Sequence, residues 1–174
     1  RRQRQMCIRD SSITLSSQVC PEIREYERQS TACANAYVQP LMSRYLTKLD
    51  EALQSMGFMC PFLLMTSGGG LTTLDTSIKF PVRLVESGPA GGAILATEIA
   101  KECGIDNVLS FDMGGTTAKI CLIDDYTPQM TRTFEVARVY RNLKGSGLPL
   151  RIPAIEMVEI GACLLYTSDA ADDC

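Results

Sequence analysis

Residues 111–124 read Phe-Asp-Met-Gly-Gly-Thr-Thr-Ala-Lys-Ile-Cys-Leu-Ile-Asp. Asn107–Phe111 just before the glycines reads as a strand, and Ala118–Ile123 reads as a second strand that begins almost at once. Gly114 and Gly115 then form a tight turn, and the segment is a β-hairpin with Asp112 at its mouth. A strand–loop–helix phosphate loop is excluded, because no helix follows and the Gly-Lys-Ser/Thr signature is missing. The turn can instead offer backbone N–H groups and the Thr116 and Thr117 hydroxyls to phosphate oxygens. Asp112 can hold Mg²⁺ directly or through water, since hard cations prefer carboxylate and water oxygens. An ordinary Gly-Gly hairpin would use the same five residues, so the pattern alone leaves both readings open.

Immediately upstream stands a second glycine-rich turn, Glu86-Ser87-Gly88-Pro89-Ala90-Gly91-Gly92. Val82–Val85 before it is a strand candidate. A helix is expected from the turn to Cys103, with Ala93, Ile94, Ala96, Ile99 and Ala100 packing inward and Gly104 ending it. Strand, glycines and helix in that order resemble a dinucleotide-binding turn, with Asp112 placed 24 residues beyond Gly88 as a ribose-binding acid. Glu86 opposes that reading. It occupies the position of the first glycine, and an anionic side chain there repels a pyrophosphate.

Further out, Phe62–Thr66 is a short apolar strand candidate that runs into Ser67-Gly68-Gly69-Gly70. A short helix is expected at Leu74–Lys79, so backbone amides of the Ser67–Gly70 loop could approach an anion, although a plain flexible turn has the same composition. From Ala32 to Met56 the pattern is helical, capped by Ser30 or Thr31, with Leu41, Tyr45, Leu49, Leu53 and Met56 on one core-packing face. Pro40 must kink this helix or begin a second one, and Gly57 sits where a terminating glycine belongs. Ser12–Ser17, Phe134–Tyr140 and Ile152–Ile160 read as further strands, the last two around a Lys-Gly-Ser-Gly-Leu-Pro loop. Strands alternate with helices early in the chain, an α/β layout.

Composition narrows the chemistry. The 174 residues are 45% hydrophobic and 21% charged, with no apolar run long enough for a membrane-spanning helix. A net charge of −3 disfavours nucleic acid and anionic membrane surfaces as partners. Histidine is absent, which excludes Ser-His-Asp and Cys-His catalysis and every His-ligated metal site within this chain. Phosphoryl transfer survives, because it depends on backbone amides, carboxylates and Mg²⁺. The eight cysteines contain no closely spaced pair of the zinc-binding kind, and several lie in apolar runs, so free thiols in a cytoplasmic protein are expected.

The two ends differ from the rest. Arg1–Asp10 holds four arginines without a periodic apolar pattern or a signal-peptide core, and Cys163–Cys174 breaks off the preceding strand pattern. Both strings resemble translated sequencing-adapter read-through at the ends of metagenomic reading frames; a basic arm and an acidic tail are the alternative. The expectation is an internal fragment spanning residues 11–162, flanked by non-native extensions at 1–10 and 163–174. A fragment of this kind exposes surface that the rest of its domain would cover.

The stretches PEIREYERQSTACANAYVQPLMSRYL, LLMTSGGGLTT, FPVRLVESGPAGGAI, DNVLSFDMGGTTAKICLID and GLPLRIPAIEMVEIGA, taken together and in order, resemble the hydantoinase A/5-oxoprolinase family. The resemblance implies part of an actin-like, acetate-and-sugar-kinase ATPase fold, a mixed sheet with flanking helices. It also implies ATP-dependent opening of cyclic amides such as 5-oxoproline or hydantoins, with ATP and Mg²⁺ required. Related members are subunits of ATP-dependent acetone and acetophenone carboxylases. Carried over by position, Asp112, Gly114, Gly115, Thr116 and Thr117 match a phosphate-binding hairpin, with Asp112 as the metal-positioning catalytic residue. Gly88, Gly91 and Gly92 match a turn on the nucleotide side, and Ser67, Gly69 and Gly70 match a loop near the reactive centre. Gly68 replaces a more usual Asn. Lys119 stands where many members have Asp, either neutralising phosphate charge or solvated on the strand. The family's other Asp-x-Gly-Gly-Thr hairpin has no counterpart here, so half the ATP site is missing and no turnover is expected of this chain alone. A cyclic-amide substrate, a second B-type subunit and an oligomeric state are implied for the parent protein.

Overall fold

A computed structural model describes residues 13–140, 143 and 145–161. The extensions at 1–10 and 163–174 lie outside the described residues. Helices and strands alternate over the first part of the chain, as the sequence indicates, and after Cys103 the described elements are all strands.

The long helix α2 (Glu25–Ser55) follows a single turn, α1 (Ser16–Val19). The strand expected at Ser12–Ser17 is absent over the described Ile13–Ser17. Leu15 carbonyl instead accepts hydrogen bonds from the Gln18 and Val19 amides, and the turn buries Val19 and Cys20. Helix α2 begins seven residues before the expected Ala32, and neither Ser30 nor Thr31 caps it; both are buried in its interior. Their hydroxyls do tertiary work instead. Ser30 Oγ donates to Pro149 carbonyl at 2.8 Å, and Thr31 Oγ1 accepts from the Arg151 amide at 2.8 Å. The helix runs unbroken through Pro40, whose ring faces solvent, where the freed carbonyl one turn earlier can meet water. Its end is a two-bond glycine cap. Gly57, at φ +86°, donates to Gln54 carbonyl, and Phe58 donates to Leu53 carbonyl. The expected packing face fails in the C-terminal half, where Leu41, Tyr45 and Met56 are exposed and Leu46 is the buried residue.

Strands β1 (Leu63–Met65) and β2 (Leu71–Thr73) pair antiparallel, so Ser67–Gly70 turns a hairpin rather than leading straight into a helix. Helix α3 (Leu74–Lys79) follows, capped by Thr73 Oγ1 accepting from the Thr76 amide. The strand expected at Val82–Val85 is a 3₁₀ turn, Pro81–Leu84. Asn35, fully buried on α2, takes the Val82 amide at 3.2 Å and donates to Lys79 carbonyl at 3.1 Å, which satisfies a tight turn that has no ladder partner. Helix α4 (Ser87–Cys103) ends at Gly104 in the left-handed conformation.

Strands β3 (Asn107–Met113) and β4 (Thr117–Asp124) form the hairpin read from the sequence, with Phe111 opposite Ile120 and Asp112 opposite Lys119. β5 (Thr127–Pro128) continues from β4 through Asp125 and Tyr126, both at positive φ as a tight primed turn requires. The expected strand over Phe134–Tyr140 shortens to β7 (Phe134–Val136). It pairs with β8 (Leu148–Leu150), while β6 (Met130–Thr131) pairs with β9 (Ala154–Ile155). β10 (Val158–Gly161) completes a sheet ordered β10-β4-β3.

Two buried clusters hold these parts. One gathers Val19, Cys20, Ala32, Val82, Leu150 and Ile152 between α1, α2 and the β8 region. The other packs Ala90 and Ala93 of α4 on Cys121, Ile123 and Ile155, clamping the helix to one face of the sheet. On the opposite face Leu109, Phe111, Met113, Leu122, Val158 and Ile160 are exposed.

Candidate functional site

Helix α4 is the shared wall of all three glycine-rich segments. On its flank, a β-carbon on Gly69 would stand 2.7 Å from Ile94 Cδ1, so the Ser67–Gly70 loop presses its backbone directly against the helix. Gly91 lies beside Met65 of β1, with a virtual β-carbon at 3.8 Å. At its N-terminus, Glu86 reaches the β3–β4 hairpin through Lys119, 3.3 Å from Oε2 to Nζ.

The hairpin turn is closed by the Gly114 amide donating to Thr117 carbonyl at 2.9 Å. That bond occupies the Gly114 N–H. The amides of Gly115 and Thr116 make no hydrogen bond among the described residues, and both residues are exposed together with the Thr116 hydroxyl. These are the groups an anion can use. Thr117 Oγ1, at the last residue of the turn, is already engaged, accepting from Lys119 Nζ at 3.2 Å. Asp112 is exposed and makes no ion pair among the described residues. Its carboxylate is available to a hydrated cation. The described residues contain no cluster of three metal-ligating side chains, and Mg²⁺ typically asks for only one or two carboxylates, completing its shell with water and phosphate. Asp112 fits that requirement.

Lys119 lies on the face of β4 turned toward α4. Directly paired strand residues share a face, so Glu159 of β10, Lys119 of β4 and Asp112 of β3 form one row across the sheet. The ammonium is also 3.5 Å from Glu159 Oε1. Burial by itself lowers the Lys119 pKa, but the Glu86 and Glu159 carboxylates outweigh it and leave the amine above its ordinary value, firmly protonated. Glu86 is held at φ 57°, ψ 25°, a left-handed conformation uncommon outside glycine. In the sequence Glu86 reads only as an obstacle to a pyrophosphate. The pairing with Lys119 was within reach of the sequence, because a turn fixed at Gly114–Thr117 sets 112 opposite 119, but nothing in it placed Glu86 opposite that row.

The exposed Gly88 and Gly92 have no atom within 4 Å of a virtual β-carbon, so packing does not require glycine at either. The first two turns of α4 therefore present bare backbone on that side. The dinucleotide reading loses its context here, since the fingerprint requires a strand entering the glycine turn and Pro81–Leu84 is a 3₁₀ turn.

Ser67 is buried. Its hydroxyl lies within hydrogen-bond reach of two carbonyls, Arg83 at 2.8 Å and Val85 at 2.5 Å, and its own carbonyl accepts from the Ile155 amide at 2.9 Å. Ser67 thus ties its loop to the peptide that leads into Glu86, and the loop offers backbone rather than hydroxyl to a neighbour. Gly69, at φ +78°, and Gly70 complete the hairpin. All five described cysteines are free thiols, Cys20 and Cys121 buried and Cys33, Cys60 and Cys103 exposed. No described helix is long and apolar enough to cross a membrane.

The family model described as hydantoinase/oxoprolinase matches residues 28–163. An uncharacterized protein of Methanocaldococcus jannaschii is 40% identical over 153 residues, which cover 86% of this chain and 22% of that protein. The caprolactamase subunit alpha of Pseudomonas jessenii is 32% identical over 153 residues, covering 88% of this chain and 21% of that subunit. The crystal structure of the ATP-dependent caprolactamase from that organism superposes with a TM-score of 0.73 at 28% identity, over 92% of this chain and 22% of that one. The nucleotide-free structure of an ATP-dependent acetone carboxylase gives 0.71 at 25% identity, over 85% and 19%. The chain thus spans about a fifth of the length of these relatives.

Proposed function

Because the chain belongs to the hydantoinase/oxoprolinase family and folds as part of an actin-like ATPase, we propose that it forms one side of the nucleotide site of an ATP-dependent enzyme. The enzyme opens cyclic amides of the 5-oxoproline or hydantoin class. The observation that carries the proposal is the β3–β4 hairpin, joined to the N-terminus of α4 by Lys119 and Glu86, whose Gly115 and Thr116 amides and Asp112 carboxylate have no partner among the described residues.

In this reading the Gly114–Thr117 turn binds phosphate oxygens, and Asp112 orients the hydrated Mg²⁺ that accompanies ATP. The bound cation supplies charge neutralisation at the phosphates. Gly88, Gly91 and Gly92 let the nucleotide side approach α4 backbone closely. The loop carrying Ser67, Gly69 and Gly70 borders the substrate, with Ser67 anchoring it and the glycine backbone facing the ring. Phosphorylation of the amide carbonyl oxygen turns an unreactive amide into an electrophile that water can open, which explains the use of ATP in a hydrolysis. The amides of the hairpin, fixed before the reaction, would stabilise charge without reorganisation.

Nothing in the sequence matches a second Asp-x-Gly-Gly-Thr hairpin, so turnover belongs to a longer parent protein in which residues 11–162 are part of one ATPase domain. The parent acts in the cytoplasm, where its free thiols stay reduced and ATP is supplied. A partner B-type subunit and an oligomeric assembly fit the subunit organisation of the caprolactamase relative.

The test is ATP hydrolysis by the parent with 5-oxoproline and with hydantoins, in wild type and Asp112→Asn. Ring-dependent hydrolysis that falls by orders of magnitude in the variant is expected; near-wild-type turnover overturns the assignment of Asp112. A second reading, an ATP-dependent carboxylase subunit, is favoured by the similarity to acetone carboxylase. It predicts hydrolysis that depends on bicarbonate and a ketone, or on a second subunit, and not on cyclic amides.

A further inference from the structure

Lys119 stands where three elements meet. Its ammonium touches Glu86 at the N-cap of α4 at 3.3 Å, Glu159 of β10 at 3.5 Å and the Thr117 hydroxyl at 3.2 Å. Asp112 faces it from β3. One cation therefore sits among three carboxylates, an arrangement with an excess of negative charge at the mouth of a turn whose free amides suit an anion. Glu86 is held against that cation in a left-handed conformation that disfavours side chains with a β-carbon. Backbone outliers of this kind gather where function requires them.

We propose that Lys119 is an exchangeable counter-ion of the hairpin: Glu86 and Glu159 hold it while the turn is empty, and an incoming phosphate group takes it over. The inference rests on the phosphate reading of the Gly114–Thr117 turn. Lys119 suits the exchange because an ammonium on a four-carbon stem is a mobile point charge with three rotatable donors. Its contact with the Thr117 hydroxyl already places it at the edge of the turn.

Exchange and simple structural pairing make opposite demands on two substitutions. If the ion pair only braces α4 against the sheet, Lys119→Met and Glu86→Gln weaken the same contact and loosen the site alike. If Lys119 is shared between Glu86 and the phosphate, removing the lysine weakens anion binding. Removing the Glu86 charge strengthens it, because the competitor for Lys119 is gone and one negative charge fewer confronts the ligand.

The experiment is titration of the chain and its variants with Mg·ATP, following the backbone amides of Gly114–Thr117 by ¹⁵N–¹H NMR, which reads weak binding and folding in one spectrum. Lys119→Met is expected to weaken binding roughly two- to fivefold, the range of a partly exposed charge pair. Glu86→Gln is expected to tighten it by a similar factor, and Lys119→Arg to retain it. Should Lys119→Met fail to fold, tightening by Glu86→Gln decides alone. Hairpin shifts with both variants weakened, or both unchanged, overturn the exchange and leave the phosphate reading standing. Wild-type amides that do not move with Mg·ATP overturn both.

Discussion

Gly69 and Ile94 are in a contact that a side chain at 69 could enter only by displacing Ile94: a β-carbon on Gly69 would lie 2.7 Å from both Cδ1 and Cγ1 of Ile94. Gly69 is also at φ +78°, so alanine there meets backbone strain and overlap together. Gly69→Ala is expected to cost about 1–3 kcal/mol, read as a lowered urea midpoint at unchanged slope. The control is Gly92→Ala, where a β-carbon meets open space within a helix and stability is expected to rise by up to ~1 kcal/mol. A stabilised Gly92→Ala protein with weakened Mg·ATP binding would separate the requirement for close approach from packing.

Asn35 is expected to be the most sensitive polar position of α2. It is fully buried and bridges Thr14, Lys79 carbonyl and the Val82 amide, the last in a turn with no strand to satisfy it. Asn35→Ala leaves the buried Val82 amide without an acceptor and is expected to cost roughly 2–4 kcal/mol in chemical denaturation. A loss below ~1 kcal/mol would show that water replaces the side chain.

The elements legible in the sequence were those fixed by local chemistry. The two strands of the Gly-Gly hairpin and the strand within Phe62–Thr66 follow from apolar patterning, and the helix ends at Gly57 and Gly104 from residues that tolerate positive φ. What escaped depended on distant partners. Ser30 and Thr31 resembled caps because cap and buried hydroxyl look alike until Pro149 and Arg151 arrive from more than a hundred residues away. Val82–Val85 has strand composition, but Asn35 turns it into a 3₁₀ segment. In the site, the hairpin groups and Asp112 were readable from spacing, whereas the junction of Glu86 with Lys119 needed the packing of α4 on the sheet.

The thiols are expected to divide by burial. Burial raises the pKa of Cys121 and of Cys20, with Glu156 and Glu22 respectively adding to it, while Cys33, Cys60 and Cys103 are exposed. In the native protein Cys20 and Cys121 should react with a thiol reagent on the order of tenfold more slowly, or less, than the exposed three. The sign for stability follows. An unfolded thiol ionises near 9.0, below the raised folded values, so the contribution is complete below pH 9.0 and is lost as pH climbs through the folded pKa. Lys119, also raised, loses its contribution in the same alkaline direction, at higher pH. Denaturation midpoints should therefore fall above pH 9 and not between pH 6 and 8.

We propose that the Asp112–Thr117 hairpin receives Mg·ATP. Calorimetric titration of wild type and Asp112→Asn with ATP, each in the presence of Mg²⁺ and of EDTA, measures it directly. Asp112 is exposed and makes no ion pair among the described residues, so the variant should keep wild-type stability within about 0.5 kcal/mol. The predicted result is binding strengthened by Mg²⁺ in wild type, with the Mg²⁺ dependence abolished in Asp112→Asn. Identical Mg²⁺ dependence in the two proteins would contradict the assignment of the hairpin.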